Sequence, residues 1–377
     1  MKIGKNGVAQ FAKKIYGKHN LYCFGAGIAF KRFLTDFHKY CLENDIKSIV
    51  DNSVEKQGTV VIHNDRSFPV ISLDRMLSEI KLGDIILITT AKYLEVIKQL
   101  EKEEKLRDTE CYLHILFRIE QCDDDRFQIE IPTKLSIFQE YRIPKTIHYC
   151  WFGKKEIPLQ YKKWMESWKK FCPDYEIIEW SEKNYDVHKT KYLSQAYDLG
   201  KWAFVSDYAR VDIIREYGGI YLDTDVELLK NIDEMLMNDG FCGFESSRYV
   251  AYGLGFGAIK NHPIIDEIKE YYDNTSFVSE QGALNQINCP IIQTEIMKRH
   301  GLKCNGGFQV VGGMAVYPSR ILCGMSPHSF RVERNPVAYA IHHFSASWGC
   351  EEQLDTKEAI ISYMKQQKPD DRYCYMD

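Results

Sequence analysis

Asp207 and Arg210 stand three residues apart in the stretch 203–225, which ends in the triplet Asp223-Thr224-Asp225. On a helix, an i, i+3 spacing puts a carboxylate and a guanidinium on one face. Two acids one residue apart in a loop can hold a hard divalent cation. A cation of that kind, bridging diphosphate oxygens, stabilises the charge that develops on a phosphate leaving group. Each motif also has an ordinary reading. An Asp-x-Asp loop is commonly a solvated turn, and a helical Asp/Arg pair is commonly a surface ion pair contributing roughly a few tenths of a kcal/mol. The fixed order favours the chemical reading: helix, then Gly218-Gly219 as a left-handed stop, then apolar Ile220, Tyr221 and Leu222 as a short strand that delivers the acids.

The elements on either side must position these groups. Upstream, 146–152 reads as an apolar strand carrying His148 and Trp151, 157–171 as a helix with Trp164 and Trp168, and 173–180 as a second strand. Downstream, 253–257 is glycine-dense and allows close backbone approach, while 262–272 and 290–300 read as helices, each with a proline in the first turn. The block 341–348, IHHFSASW, pairs two histidines with a tryptophan. Further on, 357–364 reads as an amphipathic helix.

The first 120 residues alternate strand and helix patterns. Strands are expected at 21–24, 46–50, 59–62, 84–89 and 111–119, with helices at 28–42, 73–80 and 91–103. This implies a mostly parallel, Rossmann-like sheet. Gly25 and Gly27 lie in the first strand-to-helix turn and Asp51 ends the next strand, where a nucleotide's phosphates and ribose would sit. The third glycine of that fingerprint is replaced by Phe30, so a purely structural turn is the competing reading. Periodicity fades over 121–142, and the domain boundary is expected near 140: 1–140 Rossmann-like, 141–377 carrying the acids.

Composition bounds the rest. The chain has 377 residues, 45% hydrophobic and 27% charged, which suits a soluble protein with large cores. A net charge of -4 offers nothing to a nucleic-acid partner. The 12 cysteines follow no paired spacing, and no leader or membrane-length apolar run is evident, so a reducing cytoplasm is expected.

In their order, three blocks resemble family 32 glycosyltransferases, with their DXD-containing sugar-binding region, and the catalytic domains of the large clostridial toxins. They are 143–153 (IPKTIHYCWFG), 203–226 and 341–348. The resemblance implies a GT-A type α/β domain and a retaining transfer from a UDP-sugar with Mn2+ or Mg2+. The acceptor would be a hydroxyl of a surface or capsular polysaccharide, a glycan or a lipid-linked glycan, in the cytoplasm or at the inner face of a membrane. Carried over residue by residue, Trp151 stacks on uracil, and Asp207 and Arg210 meet the donor sugar. Asp223 reaches ribose, sugar or metal-bound water, Asp225 binds metal and diphosphate, and Trp348 reaches the diphosphate. Where the toxins have an acidic metal ligand this chain has His343, whose imidazole suits manganese better than magnesium. An aromatic core strand is the other reading of that block. Two rival functions remain, a toxin-like protein glycosyltransferase and a non-catalytic nucleotide-sugar sensor.

Overall fold

A computed structural model describes residues 1–5, 7–334, 336–345, 351–367 and 369–375. The chain forms two compact units, Met1–Cys122 with Leu354–Pro369 and Asp123–Gln353 with Asp370–Asp377.

The first unit is built on seven strands: β1 (Lys2–Ile3), β2 (Leu21–Phe24), β3 (Ile46–Val50), β4 (Val60–His63), β5 (Arg66–Ile71), β6 (Ile85–Ile88) and β7 (Glu110–Leu113). Their order is β1-β7-β6-β2-β3-β5-β4. All neighbours run parallel except the β4–β5 hairpin. The expected alternation is present, but β1, the helix Val8–Ile15 and β5 were not among the expected elements, and two expected ones differ. The segment 111–119 is not one strand, because β7 stops at Leu113 and a helix, His114–Gln128, begins at once. A continuous apolar run carries no period that separates strand from buried helix. The helix expected over 28–42 ends at Asp36 and gives way to two short 3-10 turns.

Gly25 has φ +115°, and a Cβ there would sit 2.9 Å from the Thr89 carbonyl oxygen, so the turn demands glycine. Asp51 is engaged by the same loops. Its carboxylate accepts from the Ala26 N–H (2.8 Å), the Ser53 N–H (2.9 Å) and Lys56 Nζ (3.1 Å). The acid therefore fastens the glycine turn to the end of β3. A Cβ on Gly27 would meet nothing within 4 Å.

The second unit holds a mixed sheet of β8 (Thr146–Cys150), β9 (Glu176–Trp180), β10 (Gly219–Tyr221), β12 (Gly240–Gly243), β13 (Phe256–Ala258), β14 (Gln309–Val311) and β15 (Met314–Tyr317), in the order β14-β15-β12-β13-β10-β8-β9. Two small ladders complete it: β11 (Val226–Leu228) with β17 (Ala340–His342), and β16 (Val332–Glu333) with β18 (Tyr373–Cys374). Alternation along the strands sorts the side chains into two cores. Ile147, Ile220, Phe241 and Ala315 pack in one, and Cys150, Tyr221, Cys242 and Val316 in the other.

The helix Trp202–Tyr217 buries residues on every side, Asp207 and Arg210 among them. Its polar groups must therefore be paired internally. Gly218 (φ +69°) ends it, and Gly219 (φ +100°) starts β10, where a Cβ would lie 2.8 Å from the Thr146 carbonyl oxygen. That approach lets β10 pair parallel with β8, and it sets where the following acids emerge.

Candidate metal and nucleotide-sugar site

Asp223, Thr224 and Asp225 leave the end of β10 and enter β11. β11 pairs antiparallel with β17 in the register Val226↔His342. The ladder brings His342 beside the acids, with Nε2 3.3 Å from Asp225 Oδ1 and 3.9 Å from Asp223 Oδ2. One ligand atom from each of Asp223, Asp225 and His342 falls within 4.8 Å of the others. Two carboxylate oxygens and an imidazole nitrogen form a donor set that suits a divalent cation of the manganese kind.

The neighbouring histidine behaves differently. The His343 N–H donates to the Asp225 carbonyl oxygen at 2.9 Å, which continues the ladder. Its ring stacks on Trp164 at 3.9 Å and 11°, and its Nε2 lies 3.0 Å from Glu227 Oε2. Adjacent side chains in extended backbone point to opposite sides. The third ligand candidate that the structure brings to the acids is thus His342, whereas His343, the residue taken from the sequence, joins an aromatic row with Trp164 and Tyr161. His342→Ala is expected to weaken divalent-cation binding at least about tenfold. His343→Ala should leave that affinity within about threefold and lower stability by about 1 kcal/mol through the lost stack. Calorimetric titration and thermal melts of the two variants distinguish these outcomes.

Burial alone would raise the Asp225 carboxyl pKa. The His342 imidazole and the Ser345 N–H and hydroxyl, both 2.9 Å from Asp225 Oδ2, outweigh it and hold the group below its usual value. For His342 burial opposes protonation, but Asp225 and Asp223 prevail and raise its pKa. Asp225 therefore stays ionised, as a ligand of a cation must.

Arg210 is 4% exposed. Its Nη2 lies 3.2 Å from Asp207 Oδ1 and 3.2 Å from Asp223 Oδ1, so one guanidinium ties the helix to the triplet. Burial raises the Asp207 carboxyl pKa against the opposing pull of Arg210 and the Cys289 thiol.

These groups line a cleft of about 520 Å³. That volume lies within the range typical of small-ligand sites. Trp151 lines it too, half-buried, its Nε1 donating to the Lys155 carbonyl oxygen at 2.6 Å. Trp348, expected at the diphosphate, lies outside the described residues.

Glu245 and Cys289, to which the sequence reading gave no role, line the cleft, and so does Gly253. Gly253 belongs to the glycine-dense segment, which was the one available signal. A Cβ there would fall 2.6 Å from Asp223 Oδ2 and 3.3 Å from Arg210 Nη1. The loop cannot retreat easily, because the Val250 N–H donates to Thr294 Oγ1 (3.1 Å) and the Tyr252 N–H to Gln293 Oε1 (3.0 Å). Gly253→Ala should therefore displace Asp223 and weaken divalent-cation binding by roughly tenfold to a hundredfold, a loss that calorimetric titration reads directly.

Residues 158–242 match the family described as glycosyltransferase sugar-binding region containing DXD motif. Inositol phosphoceramide mannosyltransferase 3 of Schizosaccharomyces pombe is 30% identical over 157 residues, covering 38% of this chain and 40% of that protein. Alpha-1,4-N-acetylglucosaminyltransferase of Homo sapiens is 39% identical over 72 residues, 19% of this chain and 20% of the relative. The chain therefore spans well under half the length of these curated relatives. Among solved structures, PaToxG Glycosyltransferase is similar at 19% identity and a TM-score of 0.33, covering 49% of this chain and 76% of that one.

Proposed function

We propose that the chain is a metal-dependent, retaining glycosyltransferase whose second unit is a GT-A type domain. It would move a hexose from a UDP-sugar to a hydroxyl of a surface or capsular polysaccharide or another glycan, in the cytoplasm or at the inner face of a membrane. One observation carries the reading: two carboxylates and an imidazole from separate segments converge within 4.8 Å beside a cleft that also presents an indole. No helix among the described residues is long and apolar enough to cross a membrane.

In this reading Asp223, Asp225 and His342 hold Mn2+ or Mg2+, which when bound supplies Lewis-acid stabilisation to the leaving diphosphate. Trp151 offers a flat apolar face that suits uracil, with little side-chain entropy to lose. Asp207 is an acceptor for hydroxyls of the donor sugar. Arg210 is a fixed cation behind Asp223, close enough to the cleft to favour charge on the departing group. Ser345 holds one oxygen of Asp225 through two hydrogen bonds and so keeps the carboxylate in one orientation. The acceptor proton can pass to the departing phosphate, so no further base is required.

The experiment is UDP release from a panel of UDP-sugars with Mn2+, run with and without chelator. Slow release from one sugar, lost on chelation, supports the transferase reading and identifies the hexose. Release that ignores chelation contradicts it.

A further inference from the structure

Four acids surround the cleft away from its exposed rim, and three of them are engaged. Asp207 meets Arg210 and Cys289, Asp223 meets Arg210 and His342, and Asp225 meets His342 and Ser345. The fourth, Glu245, also lines the cleft, yet its carboxylate takes no hydrogen bond and forms no ion pair among the described residues. Its backbone is nevertheless held firmly. Phe244 bridges Val250 across the loop that follows β12, and the Glu245 N–H donates to the Tyr249 carbonyl oxygen at 2.9 Å. Glu245 stands outside the group of three atoms within 4.8 Å that suits the cation.

Desolvation raises the carboxyl's pKa, opposed by the attraction of the His342 imidazole. The carboxylate oxygens are not among the buried side-chain atoms left without a partner, so they open to the cleft, where a ligand O–H can reach them. The donor half of the cleft is already supplied with Trp151, Arg210 and the acids of the triplet. What remains without a partner is the Glu245 carboxylate, an acceptor for a hydroxyl that enters the cleft.

Resting on the transferase reading above, we propose that Glu245 binds the incoming acceptor hydroxyl, accepting its hydrogen bond and aiming its oxygen at the donor sugar. Water occupies that place when donor is hydrolysed without a glycan acceptor.

The test separates binding from turnover. UDP affinity with Mn2+ is measured by calorimetry, and release of UDP from the best UDP-sugar, with water as acceptor, is measured in parallel. Both are run on the wild type, Glu245→Gln and Glu245→Ala. Glu245→Ala should keep UDP affinity within about threefold while its turnover falls about tenfold to a hundredfold. Glu245→Gln, whose amide oxygen still accepts, should fall between the two. If UDP affinity drops in step with turnover, the carboxylate serves the cation or the donor and the assignment is overturned. Unchanged turnover in both variants overturns it as well, and leaves the transferase reading intact. Where the wild type binds UDP with Mn2+ but turns over no UDP-sugar with water, a glycan acceptor is obligatory, and the same comparison of variants is read with added glycan acceptors.

Discussion

Asp225→Asn is expected to lower metal-dependent UDP-sugar turnover by roughly a thousandfold or more while leaving the protein folded. The argument is one of charge. Asp225 is the acid that both faces His342 and is held by Ser345 through two bonds of 2.9 Å. An amide oxygen can keep accepting from Ser345, so the loop loses little, about 1 kcal/mol of stability at most. As a ligand for a divalent cation, however, a neutral amide is much poorer than a carboxylate, and several kcal/mol of leaving-group stabilisation depend on that cation. A melting temperature near the wild type's together with lost UDP release is the expected pair of results. Retained turnover would remove Asp225 from the metal site.

Arg210→Ala should lower stability as well as turnover. The guanidinium is buried and sits between two carboxylates, each 3.2 Å away. Burial alone would lower its pKa, but Asp223 and Asp207 raise it well above its usual value, so it stays charged. Removing one partner of a buried ionic group leaves uncompensated charge and costs about 3–5 kcal/mol, a large share of the roughly 5–15 kcal/mol that stabilises a typical domain. Arg210→Ala is therefore expected to unfold at markedly lower urea concentration. Adding Asp207→Asn to it should recover about 0.5–3 kcal/mol, because the second change removes one stranded charge. Additive losses in the double variant would show that Arg210 and Asp207 are not coupled.

The elements of both units were largely readable because strand, turn and helix signals agreed locally. Gly218-Gly219, Ile220 to Leu222 and the acids stand in the order expected, since each residue type suits its own backbone. The segment 111–119 misled because an apolar run without glycine or proline marks no point where β7 yields to a helix. The helix Trp202–Tyr217 gave little amphipathic signal because it is buried on all sides. The histidine was a question of register. His342 and His343 differ by one residue, and only the pairing of β11 with β17 decides which one turns to the acids. Glu245 was not legible, since it belongs to no local pattern, and Cys289 lay in the stretch 282–294, whose loose resemblance to a sugar-side region left its residues unassigned; both reach the cleft through the packing of distant segments.

The central claim is that Asp223, Asp225 and His342 hold a cation that binds a nucleotide diphosphate in this cleft. Calorimetric titration of the wild-type chain with UDP, with Mn2+ and again after chelation, tests it most directly. The account predicts saturable binding with Mn2+ that weakens at least about tenfold when the metal is removed. UDP binding of equal strength in both conditions, or none in either, would contradict it.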